Sequence, residues 1–142
     1  MRDLKLSDKN KIGIFDARSG TDIELYYRTP TTSEEVEYQH LLVKRQGRKV
    51  IINPFEARLE MGLRILTGFS EGSFGIDGKA ISSEPENPNY KENWKDLLKE
   101  TASDIITTFA FTIFEGARID TGTDFEIEEK DDVPPFQKKS KG

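Results

Sequence analysis

The chain has 142 residues, 35% of them hydrophobic and 33% charged, with a net charge of -5, a size suited to one hydrophobic core and therefore to one domain with tails. It has no cysteine and a single histidine, His40, which excludes disulfide frameworks, thiolate nucleophiles and cysteine zinc sites. No stretch reaches the roughly 20 apolar residues of a membrane span, and Met1 to Lys9 alternate charge with leucine where a signal segment would be continuously apolar, so the expectation is a cytoplasmic protein with no membrane partner.

Residues 1–10 read as a flexible N-terminus and 11–118 as a single domain. Lys11 to Phe15 and Asp22 to Arg28 have strand composition and flank Arg18-Ser19-Gly20-Thr21, a turn sequence, so they predict an N-terminal hairpin. Ile23, Leu25 and Tyr27 share one face of the second strand, the period-2 pattern of a half-buried sheet.

Thr32 followed by Glu35 has capping-box spacing and predicts a helix running to about Gln46, with Gly47 as its stop. Arg48 to Ile52 is short and β-branched, hence strand-like. The cations Lys44, Arg45, Arg48 and Lys49 read as ordinary solvated positions, and the wider scatter of lysine and arginine among acids predicts no nucleic-acid partner. Asn53-Pro54 marks a second helix start, with Glu56 placed to complete the cap. Phe55, Leu59, Leu63 and Leu66 keep an apolar face until Gly68.

The stretch from Phe69 to Ser83 is rich in turn formers, and Asp77-Gly78 between short apolar flanks predicts a tight hairpin. After the proline-containing loop from Glu84 to Asn89, apolar residues from Trp94 to Phe114 recur at spacings of three and four, which predicts one long helix from Asn89 to near Gly116, roughly 40 Å in length. Trp94 aligns with Leu97 and Leu98 and belongs to the core. From Ile119 the sequence turns acidic, then to Pro134-Pro135 and Lys138-Lys139-Ser140-Lys141, the composition of a disordered tail over 119–142. Phe125-Glu126-Ile127-Glu128-Glu129 within it has the make-up of a short linear motif. The whole predicts an α+β domain: a small antiparallel sheet of two hairpins with three helices, the last one long.

Catalytic and metal signatures are missing from the sequence. Gly68 to Gly75 lacks the Gly-Lys-Ser/Thr and following helix of a phosphate loop, and its glycines suit tight turns. His40 has no partner at helical metal-site spacing, no Gly-x-Ser-x-Gly elbow is present, and the acidic tail lacks the register of a calcium loop. No cofactor and no metal are expected, and the protein reads as a non-enzymatic binder of another protein. Candidate contact residues are Phe69, Glu71 and Phe74 in the turn region and Phe111 on the last helix.

The run Leu66-Thr67-Gly68-Phe69-Ser70-Glu71-Gly72-Ser73-Phe74, then Ile81-Ser82-Ser83 and Tyr90 to Leu98, resembles small tail-assembly chaperones and tail-accessory proteins of bacteriophages and prophages. The resemblance spans the middle and last thirds of the ordered chain and carries no catalytic motif. It implies a non-enzymatic role in virion assembly, in which the chain binds a tape-measure or tail-tube protein in the host cytoplasm. Two rivals remain open from the residues: an oligomeric structural subunit forming a ring or connector, and a small enzyme using carboxylates with His40.

Overall fold

The computed structural model describes Met1 and residues 3–116; the expected tail and the Phe125 motif lie outside the described residues. In chain order the elements are β1 (Asn10–Asp16), β2 (Thr21–Tyr27), α1 (Thr32–Leu42), β3 (Val43–Gln46), β4 (Lys49–Ile52), α2 (Pro54–Ile65), β5 (Leu66–Phe69), β6 (Gly75–Ile76), β7 (Lys79–Ala80), α3 (Trp94–Thr101) and α4 (Ser103–Phe114). The architecture is mixed α+β: four helices, a three-stranded antiparallel sheet and two separate hairpins. No described helix is long and apolar enough to cross a membrane.

The predicted N-terminal hairpin forms with Ile14 opposite Ile23 and Ile12 opposite Leu25. Strand β5 adds to the other edge of β2, with Leu25 opposite Phe69 and a register shift between Tyr26 and Tyr27. Ile23, Leu25, Ile65, Leu66, Phe69, Ile81, Trp94, Leu98, Ile106 and Phe109 bury one another beneath this sheet. Trp94 sits edge-on to Phe69 at 5.6 Å, so its core assignment holds. A smaller cluster of Tyr38, Ala57 and Met61 lies where α1, α2 and α4 meet, with Leu41, Leu42 and Phe114 packed against it.

Five boundaries differ from the sequence expectation, each for a local reason. The last helical stretch opens at Trp94 and not at Asn89, because the Ser82 amide donates to the Asn89 carbonyl oxygen and the Lys91 amide to the Ser82 carbonyl oxygen, which holds that segment extended. The first helix is capped one residue earlier: Thr31 accepts from the Glu34 amide while Glu34 reaches back to the Thr31 amide. It also stops at Leu42, because Val43–Gln46 leaves the helix to pair with Lys49–Ile52; Gly47, at φ 62, is therefore a hairpin-turn glycine. The second helix ends at Ile65 in favour of β5, whose pairing with β2 satisfies the backbone that further helix would have used. The expected long final helix is two, broken at Ala102 with φ -135 and ψ 35. Apolar spacing continues through the break, which is why periodicity alone does not show it. The Asp77-Gly78 turn forms as expected, with both residues at positive φ.

The longer α4 packs along α2 at close range. A Cβ placed on Gly62 would lie 3.1 Å from the Ala110 Cβ and 3.1 Å from the Ile106 carbonyl oxygen; the missing side chain is what lets the two helices approach.

Candidate functional site

Between α1 and α2 the chain leaves the body as an arm. Val43 pairs with Ile52, Arg45 with Val50 and Gln46 with Lys49, closed by the two-residue loop Gly47-Arg48. Positive φ at the first loop residue alone, with glycine there, is the type II′ pattern that matches strand twist. At the root the Asn53 amide donates to the Leu42 carbonyl oxygen at 2.9 Å. Among the described residues neither outer edge of this two-stranded sheet pairs with another strand.

The strand register sorts the arm into two faces. Val43, Arg45, Val50 and Ile52 share one; Ile51 and Lys49 belong to the other. Val43, Val50 and Ile52 are 46%, 54% and 68% exposed, although β-branched side chains on a hairpin ordinarily face a core. Residues 43–52 hold four cations and no acid, so within a net charge of -5 the other 132 residues carry -9. The arm is thus an apolar, basic projection from an acidic chain. A two-stranded hairpin with four-residue strands is marginal in water by itself, and its exposed apolar face gains from cover.

Of the residues that sequence pattern singled out, Phe69 and Phe74 are brought together, while Phe111 and His40 lie on separate helices. Phe69 is buried in the core, edge-on to Phe74 at 5.0 Å; Glu71 is exposed in the turn that follows β5. Phe111 is half-exposed on α4 with the Arg58 guanidinium 4.9 Å above its ring. His40 is exposed on α1. Among the described residues no group of three or more histidines, cysteines or carboxylates is placed to hold a metal ion.

One open groove of about 720 Å³ runs between the β1–β2 turn, the β6–β7 hairpin and the α3–α4 break. Asp16, Arg18, Lys79 and Asp104 are among its charged lining residues. The Asp16 carboxylate is engaged within its own turn, accepting from the Ser19 hydroxyl at 2.8 Å and the Arg18 amide at 3.1 Å, and the Ser19 bond holds its pKa below the usual carboxylate value.

The arm's apolar residues escaped sequence reasoning because the helix was expected to run through Gln46. The signal that finds them is Gly47-Arg48, a glycine-first pair flanked by Val43 and the Val50-Ile51-Ile52 run. Comparison with protein-family models, curated proteins and solved structures finds no match.

Proposed function

We propose that this protein is a non-enzymatic binding and assembly protein that engages a protein partner through the β3–β4 arm. The observation that carries the reading is the arm's exposed apolar face, Val43, Val50 and Ile52, on a hairpin whose two edges pair with no further strand among the described residues. Such a hairpin offers main-chain hydrogen bonds for strand addition and side-chain contacts for specificity. Its four cations suit a partner segment that carries acidic side chains. The narrower reading, with a tape-measure or tail-tube protein as the partner, is supported by the resemblance of the 66–98 region to phage tail-assembly proteins.

Co-expression with a candidate client tests this. Wild-type protein is expected to retain the client through purification, and Val50→Asp with Ile52→Asp to lose it while keeping its circular dichroism. Equal retention by both proteins contradicts an arm-borne contact. An oligomeric subunit is the second reading, favoured by the same two edges; it predicts a defined multimer by light scattering that the two aspartates dissolve.

A further inference from the structure

The arm and the end of the described chain share one anchor. Leu42, the last residue before β3, and Phe114, near the end of α4, both pack on the cluster of Tyr38, Ala57 and Met61. Tyr38 stacks on Phe114 at 4.6 Å and donates its hydroxyl hydrogen to the Glu115 carboxylate. Val43 follows Tyr38 by five residues, roughly 8 Å along the helix. Whatever follows Gly116 therefore starts close to the root of the arm.

The segment that follows is complementary to the arm in charge and in pattern. Residues 119–132 contain seven acids and one lysine, and Asp124-Phe125-Glu126-Ile127-Glu128 alternates acid with large apolar side chain. As an extended strand it would place Phe125 and Ile127 on one face and the acids on the other. The arm is divided in a related way: Val43, Val50 and Ile52 dominate one face, which also carries Arg45, and Lys49 lies on the other with Ile51. Seven residues separate Gly116 from Asp124, and the chain steps between them reach roughly 28 Å, against an arm whose four-residue strands are roughly 13 Å long.

We infer that residues 124–128 dock on the β3–β4 arm of the same molecule as a third strand, Phe125 and Ile127 covering the face of Val43, Val50 and Ile52. The short tether gives the intramolecular event an effective concentration in the millimolar range, ahead of pairing with a second copy at ordinary protein concentration. Two arms meeting directly would also oppose four cations to four. This deepens the proposed function and rests on its reading of the arm as a binding surface: the acidic segment occupies the arm until a partner displaces it.

Hydrogen exchange on the full-length protein, with no partner present, tests the inference. The amides of 125–128 should exchange on the order of tenfold more slowly than in a synthetic 119–132 peptide. Glu126→Lys with Glu128→Lys should remove that protection, Arg48→Glu with Lys49→Glu should remove it too, and combining the two sets should restore it. Unchanged exchange in α4 verifies that each variant is folded. Peptide-like exchange in the wild-type chain overturns the inference, and so does protection that disappears on dilution, which would place the segment on a second copy. Because no client is involved, failure here is distinct from failure of client retention.

Discussion

Tyr38 donates a hydrogen bond to Glu115, joining the helix that launches the arm to the C-cap of α4. Burial, followed by the bond to Glu115, pushes the Tyr38 phenol up to about 12 from an ordinary value of 10.0. A folded-state pKa above the unfolded one means that this contribution is complete below pH 10 and is lost as the pH rises through about 12. Tyr38→Phe should lower stability by about 1 kcal/mol at neutral pH and flatten the fall in stability between pH 10 and 12. Urea unfolding across that range measures both.

An ion pair fixes the N-terminal end of α1. Arg28 holds Glu34 through two bonds of 2.7 and 2.6 Å while Glu34 also accepts from the Thr31 amide. The Arg28 bond is the largest cause holding the Glu34 carboxyl down to about 2, against an ordinary 4.5. Here the folded pKa is depressed, so the stabilisation is complete above pH 4.5 and lost as the pH falls through about 2. Glu34→Gln should cost about 1 to 2 kcal/mol at pH 7 after solvent screening of the partly exposed arginine, and much less at pH 2. Acid titration of the unfolding midpoint distinguishes this from a uniform loss.

Gly62 carries the contact between α2 and α4. Gly62→Val would drive branched methyls into Ala110 and the Ile106 backbone and should destabilise by about 1 to 3 kcal/mol. Gly62→Ala gains about 1 kcal/mol of helix propensity, which offsets the three 3.1 Å approaches, so it should fall much nearer to wild type. Thermal unfolding of the pair separates a steric limit from a general intolerance of side chains.

The readable parts of the fold are those with short-range causes. Ile23 and Leu25 alternate inward, Asp77-Gly78 demands a tight turn, and Pro54 opens a helix; all three follow from local chemistry and hold. The end of α1 and the start of β5 depend on strand partners distant in sequence, Lys49–Ile52 for the one and β2 for the other, so helix-forming residues up to Gln46 and Leu66 conceal them. Phe69 and Phe74 stood out because aromatic residues in a turn-rich segment suggest a contact surface, yet Phe69 turns inward against Trp94. The arm was obscured for the opposite reason: Val50-Ile51-Ile52 has core composition, and only the pairing with β3 shows that it projects into solvent.

The arm's exposure sets its energetic signature. Val50 and Ile52 are exposed among the described residues, so Val50→Asp with Ile52→Asp should change the stability of the folded body by about 0.5 kcal/mol or less, and its denaturant unfolding should overlay that of the wild type while the protection of 125–128 is lost.

The most direct test of the central claim is site-specific photo-crosslinking in the native cell, with the reactive side chain placed at Ile52 on the arm or at Thr108, an exposed position on α4. The account predicts a discrete protein adduct from position 52, weakened by Val50→Asp, and none from position 108. Adducts from 108 alone, or equal adducts from both, would contradict an arm that serves as the binding surface.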